Sequence, residues 1–375
     1  MARRTAFIYD DSMADHVLSE DHPMKPVRLR YTFDLAGQYG LLETPRSTLV
    51  ASRMATVDEI TRFHTPDYVA AVRAISNGDS SVNQRRYNFA PGDNPPFRGM
   101  YEASLLSTGG SVRGVDLLLD EGHDAVLNIS GGLHHAMPSY VYGFCVFNDP
   151  VIAIKELVRR GLKVAYVDID CHHGDGVQHA FYDTDRVLTI SLHESGQYIF
   201  PGTGYPQELG AGKGRGYSVN LPLYPYTSDE VYYWAFMETV PPLLQAFRPD
   251  VLVSQLGIDS HYNDPITHLS LTVQGFGRVV SEMGSFAPKW LALGGGGYDL
   301  QAVARAWTLA YAIMAEEEVS DELPMPYRHA HGVQTLTDHE DISHLEKVQP
   351  DARTFAQSSV QAVQRLIFPL HGIRS

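Results

Sequence analysis

The sequence predicts an α/β fold: a single open, mostly parallel sheet with helices on both faces and an active site at the C-terminal ends of the strands. Three observations carry this expectation. Short apolar runs recur at 125–129, 164–169, 187–192, 251–256 and 290–293, with helical patterns between several of them. The runs are apolar nearly throughout instead of alternating with polar residues, as expected of strands covered on both sides. Each leaves into glycines or residues able to do acid–base or metal chemistry, and in open parallel sheets ligands bind beyond the carboxyl ends of the strands.

In chain order, residues 5–9 read as a first strand ended by Asp10-Asp11. The turn-rich HPMKP segment (22–26) leads into a helix through Leu42. Thr56 and Glu59 have capping-box spacing and open a helix toward His64; another follows over 67–75. Residues 76–97, rich in Gly, Pro and Asn, predict a long surface loop, a length that is usually functional in compact domains. Residues 103–119 return to helical periodicity. The strand 125–129 exits through Ser130-Gly131-Gly132-Leu133-His134-His135. Asp149 as N-cap and Pro150 as first residue predict a helix ending near Gly161. The strands 164–169 and 187–192 come next, the latter leaving into His193 and the turn 200–204. A strand at 217–221, a helix at 228–247, the strand 251–256, a helix at 273–286 and the strand 290–293 complete the pattern. Because every segment from 125 to 300 converges on one sheet edge, 1–375 reads as one domain. Its motif-bearing core spans about 5–310, and 315–375 is an acidic loop plus a helix at 352–366 packed on it. His329, His331, His339 and His344 lack ordered spacing there and read as a solvated loop.

The totals narrow the class. A net charge of −15 with 19 % charged residues argues against sequence-independent nucleic-acid binding, which needs a basic face. Two cysteines, Cys145 and Cys171, are too few for a disulfide framework, so the expected compartment is the reducing cytoplasm. The N-terminal MARRTAFIYDD is no signal peptide, and no apolar run reaches the roughly 18 residues of a membrane span. Oligomeric state is not legible.

The stretch KVAYVDIDCHHGDGVQ (163–178) concentrates the chemistry. Asp168, Asp170 and His172 share one side of an extended chain. Buried carboxylates beside an apolar strand need a partner or a cation, so a metal site or a metal-free acid–histidine network is expected. Asp259, after its own apolar strand, is the best third ligand beside Asp170 and His172, the alternative being a helix cap. Such an Asp/His/Asp set leaves coordination positions open, as in catalytic sites. His134 and His135, whose side chains point to opposite sides in an extended chain, suit two proton-transfer roles or two core positions; Asp168 and Asp175 are the available carboxylates. Tyr298 ends a four-glycine run that lets the backbone pass close to a ligand, placing its phenol to meet a developing oxyanion. Gly143, Phe144 and Phe200 read as the walls of a narrow slot or as core.

Taken together, HPMKPVRLR (22–30), LSTGGS (106–111), GGLHHA (131–136), GFCVFND (143–149), YVDIDCHHGDGVQ (166–178), SLH (191–193), FPGTG (200–204), GKGRGYSVNLPL (212–223), QLGID (255–259) and LGGGGY (293–298) resemble the histone deacetylase-like amidohydrolases of the arginase/deacetylase fold. Within that family the chain is most similar to the bacterial acetoin-utilisation type and the class I deacetylases. The resemblance implies hydrolysis of acetyl-lysine in proteins, or of small acylated amines such as acetylpolyamines, at a zinc ion (iron in some members) held by Asp170, His172 and Asp259. It implies His135, oriented by Asp175, as general base and then acid; His134, paired to Asp168, as electrostatic aid; and Tyr298 as donor to the carbonyl oxygen. Gly143, Phe144 and Phe200 would line the acyl-lysine tunnel, and Arg28 an acetate channel. Potassium would bind through Asp168, Asp170, His172, Ser191 and Leu192, and at a second site through Phe181, Thr184, Val187 and Tyr217. One departure stands out: Arg98 falls where class I members place a rim aspartate that grips the substrate backbone, and a cation accepts no N–H bond. Two competing readings are an arginase-type ureohydrolase, disfavoured by Asp-Ile-Asp-Cys-His and the tyrosine loop, and a non-catalytic acyl-lysine binding protein.

Overall fold

The computed structural model describes residues 3–14 and 17–374. Eight parallel strands form one sheet: β1 (Thr5–Ile8), β2 (Ser47–Val50), β3 (Ala125–Asn128), β4 (Val164–Asp168), β5 (Val187–Glu194), β6 (Ser218–Leu223), β7 (Val251–Gln255) and β8 (Lys289–Leu293), in the order β2-β1-β3-β8-β7-β4-β5-β6. Every residue of β1, β3, β4, β5, β6 and β7 is buried, which explains their largely apolar character.

Eleven α-helices are described: α1 (Val27–Gln38), α2 (Val57–Ile60), α3 (Pro66–Ser76), α4 (Met100–Leu119), α5 (Asp149–Arg159), α6 (Asp175–Phe181), α7 (Asp229–Phe247), α8 (Val273–Met283), α9 (Leu300–Ala315), α10 (Met325–His331) and α11 (Gln349–Leu366). They make two layers. α3, α4, α5 and α6 pack in series, as do α1, α9, α8, α7 and α11; α4 and α9 both contact β1 and β3, so they cover opposite faces of the sheet.

The sequence reading needs several corrections. β2 was not anticipated: as an edge strand with half its residues exposed it has no apolar run to betray it. Asn148, not Asp149, caps α5, its side chain accepting the Val151 N–H at 3.1 Å. His193 lies inside β5, and Asp175 is the first residue of α6, a helix the sequence reading did not assign. α9 was also unassigned. The expected surface loop 76–97 buries Tyr87, Phe89 and Asn94. His329 and His331 lie on α10, not in a loop. The capping box at Thr56 forms as expected.

What this topology does for function is visible in the register. Asn128 of β3 pairs with Leu293 of β8, Leu293 with Gln255 of β7, Gln255 with Asp168 of β4, and Asp168 with Ser191 of β5. Four strand ends far apart in sequence therefore stop side by side, with β5 running three residues past Ser191 beside them, and the segments that follow share one patch.

Candidate active site

The loop after β4 carries Asp170 and His172, and the loop after β7 carries Asp259. Both carboxylates are almost completely buried. One oxygen of Asp170 accepts the Gln255 amide at 2.6 Å and the Gly296 N–H at 2.7 Å; Asp259 accepts the Cys171 N–H at 2.7 Å. His172 Nδ1 lies 3.1 Å from Asp170 and 2.9 Å from Asp259. A Cβ at Gly296 would sit 2.1 Å from an Asp259 oxygen, which explains why a side-chain-free residue stands there. Burial pushes both carboxylates up. The imidazoles of His134 and His172 hold Asp170 well below its ordinary range, whereas Asp259, beside Asp170, rises to about 6.

This set fits a divalent cation. One imidazole nitrogen and two carboxylate oxygens lie within 4.8 Å of one another, with protein hydrogen bonds fixing each carboxylate from behind. The donors are those of a catalytic site with open positions. Asp168, the remaining acid of the stretch, turns away from the set: one oxygen takes the Tyr166 hydroxyl at 2.7 Å and His134 Nδ1 at 2.8 Å.

The histidine pair is built by the loop after β3. Asp149 accepts the Gly132 and Leu133 N–H groups at 3.0 and 2.9 Å, and the Asn148 amide donates to the carbonyls of His134 and Ala136, both at 3.0 Å. Neither residue was assigned to the site: within GFCVFND only Gly143 and Phe144 were, and Asp149 was expected as a helix cap. Held this way, the chain is not extended, and the two rings do not point to opposite sides. His134 Nε2 and His135 Nε2 approach to 3.0 Å. Their Nδ1 atoms diverge, His134 donating to Asp168 and His135 to Asp175 at 2.7 Å. Burial alone would lower His134, but Asp168 and Asp170 overcome it and hold the group up at about 9. Burial, His134 and His172 push His135 well below its ordinary value, so it is neutral. Burial raises Asp175 to about 7 against the pull of His134.

These groups lie at the foot of a slot of about 180 Å³. Phe144, Phe200 and Gly143 line it, together with Ile199 and Ile266, which no sequence signal marked. The Phe200 ring meets His135 edge-on at 5.0 Å, and Phe144 meets Tyr298 at 5.9 Å. Burial and the Asp259 and Asp170 carboxylates push the Tyr298 phenol far up, so it is a hydrogen-bond donor at every working pH. Its backbone N–H is held by Asp264 at 2.8 Å. Arg98 does not stand at the rim: it is exposed and off the slot wall, while Asp93 lines the mouth. The 93–98 segment is pinned by Asn94, which accepts the Phe144 N–H at 3.0 Å, and the exposed Asp93 next to it lines the slot.

Arg28 is buried behind the slot, donating to the Gly297 carbonyl at 2.8 Å and lying over Trp307. It lines a second cavity of about 100 Å³, and Phe144 lines both spaces. Of the expected monovalent-ion residues, Asp168 and Ser191 are register partners, and Leu192 follows in β5. Phe181, Thr184 and Val187 span the turn from α6 to β5, where the Tyr217 carbonyl accepts the Thr189 N–H.

Comparison with known proteins agrees with this architecture. Residues 22–314 match the histone deacetylase domain model. The chain is 40 % identical to human histone deacetylase 1 over 325 residues, covering 86 % of this chain and 67 % of that protein. It is 37 % identical over 330 residues to the acetoin utilization protein AcuC of Bacillus subtilis strain 168, covering 86 % and 85 %. A crystal structure of an HDAC homolog from Aquifex aeolicus superposes with a TM-score of 0.84 at 30 % identity, covering 94 % of this chain and all of that one. With the parallel sheet of the arginase/deacetylase fold, three buried residues able to hold a metal ion at its strand ends and these relatives, the chain belongs to the histone deacetylase family and is a deacetylase.

Proposed function

We propose that this deacetylase is zinc-dependent and removes acetyl or related acyl groups from lysine side chains of proteins or from small acylated amines. One observation carries the reading: the three ligand atoms, two carboxylate-paired imidazoles and a buried phenol meet at the foot of one slot. Asp170, His172 and Asp259 would hold the ion, which supplies Lewis acidity toward the substrate carbonyl and the attacking water. His135 is neutral, with Nδ1–H committed to Asp175, so Nε2 is the basic atom. It takes the proton of the attacking water and returns it to the leaving amine. His134, charged against Asp168, stabilises negative charge developing beside it. The Tyr298 hydroxyl donates to the carbonyl oxygen as it becomes an oxyanion. Phe144 and Phe200 pack the methylenes of a slim chain and exclude water from the foot of the slot.

Asp93 at the mouth offers a carboxylate to substrate N–H groups or to a cationic amine, taking the place expected for Arg98. Arg28 attracts released acetate in the second cavity. Potassium at the β4/β5 ends would compensate Asp168, whose carboxyl burial drives upward. Two unpaired, buried cysteines suit a cytoplasmic site of action.

The test is a panel of acetyl-lysine peptides, acetylpolyamines and longer acyl-lysines offered to zinc-loaded protein, with release of the acid measured. Tyr298→Phe is expected to lower kcat about 10²–10³-fold with little change in KM. Full activity of that variant would overturn the oxyanion role, and peptide binding without turnover by the wild type would favour a binding protein.

A further inference from the structure

The matched domain ends at residue 314, yet a carboxylate from beyond it is buried against the loop that carries Asp259. Asp338 lies between α10 and α11, with its side chain only 3 % exposed. One oxygen accepts the Val273 N–H, the first of α8, at 2.7 Å and lies 3.0 Å from His261 Nε2. The other takes the Arg305 guanidinium of α9 at 2.7 Å. Gln274 locks the backbone of Asp338 in both directions at 2.9 Å, and two residues further on Glu340 accepts the Tyr262 hydroxyl at 2.8 Å.

His261 and Tyr262 belong to the loop joining β7 to α8. That loop also holds Asp259; Asp264, which fixes the Tyr298 backbone; Ile266 of the slot wall; and Thr267, whose hydroxyl donates to the Asp259 carbonyl. Loops are the least stable parts of a fold, whereas a metal ligand and an oxyanion donor must stay within tenths of an ångström. We propose that Asp338 is a positioning residue: the 332–342 strap clamps the β7–α8 loop and thereby sets Asp259 and Tyr298 relative to one another. This rests on the roles proposed above for those two residues. Around Asp338 the network is buried, so removing that carboxylate leaves the Arg305 guanidinium without its charge partner, His261 without its hydrogen-bond partner, and the loop free to shift.

Three variants test it: Asp338→Asn, His261→Ala, and Val363→Ala on α11 as a packing defect far from the loop. In the first two, amide hydrogen exchange over 260–267 and at Tyr298 is expected to speed up about 10-fold, and zinc affinity by chelator competition to fall about 10-fold. Turnover on an acetyl-lysine peptide should drop by a similar factor, with KM within about threefold. Val363→Ala should lower the melting temperature without moving any of these. Wild-type exchange and zinc affinity in both loop variants would overturn the clamp, as would equal losses in Val363→Ala. If Asp338→Asn does not fold, His261→Ala decides alone. A wild type that hydrolyses no acylated substrate, with a loop that still loosens in both variants, would overturn the proposed function and leave the clamp standing.

Discussion

Gly143 illustrates how narrowly single residues are constrained here. Its φ is +50°, and a Cβ would lie 2.4 Å from Cδ2 of His135. Any side chain at 143 must push the imidazole off Asp175. Gly143→Ala is therefore expected to lower kcat/KM at least about 10²-fold, a loss of the size seen when a general base is displaced, while zinc content stays the same. Unchanged turnover would show that the ring need not hold its contact with Asp175. The neighbouring Phe144 also has positive φ, at +68°, a conformation costly for a bulky residue and typical of functional sites. At this scale residue types were legible from the residues alone, whereas the pairings of His134 with Asp168 and of His135 with Asp175 were expected only from the family resemblance. The reading found His134, His135, Asp168 and Asp175, but their partners are set by where β3, β4 and α6 end in space. Arg98 misled for a related reason: alignment with a motif counts positions, whereas the fold decides which of them lines the slot, and that is Asp93.

Among the elements, α5 shows how a helix serves a site it does not enter. At its N-terminal end Asn148 and Asp149 hold the histidine loop, and at the other end Glu156, 3 % exposed, binds Arg62, Arg159 and Arg160. The hydrogen bond from Arg159, helped by Arg160 and Arg62, holds the Glu156 carboxyl down at about 2, below its ordinary 4.5. A depressed carboxyl stabilises the fold fully above its unfolded pKa and loses that contribution as the pH falls through its folded pKa. Glu156→Gln is therefore expected to cost about 3 kcal/mol at neutral pH. In calorimetric melts its gap from the wild type should close between about pH 4.5 and pH 2. A gap that stays constant with pH would mean that the carboxylate charge is not what matters. Central strands were legible because burial on both faces forces an apolar run; β2 was not, because an exposed edge removes that requirement. The cap of α5 was misplaced by one residue because Asn and Asp stand side by side and both suit the position.

For the whole molecule, the consequence of the sheet is a cluster of buried carboxylates at its centre, whose compensation would, on the proposed function, be shared with a bound ion. An ion that binds only the folded state at 1,000 times its dissociation constant stabilises by about 4 kcal/mol. For a chain of this length that corresponds to about 5 °C in melting temperature. Stripping the metal with a chelator should lower the melting temperature by that order, and zinc should restore it. No shift would mean that Asp170, His172 and Asp259 hold no ion in the folded protein. Among the described residues no helix is long and apolar enough to cross a membrane.

The sequence by itself determined the fold class, the strand ends as the place of the chemistry, and the residue types of the site. Those features follow from burial and from the cost of unpaired charge, both written in local pattern. Only the tertiary structure decided that β3, β8, β7, β4 and β5 lie side by side, that the two imidazoles meet at Nε2, that Asp93 replaces Arg98 at the mouth, and that Asp338 reaches back from the tail. Strand order and the Asp338 contact join segments far apart in the chain, and the two adjacent imidazoles are oriented by the distant Asp168 and Asp175; no local pattern encodes the order in which strands pair.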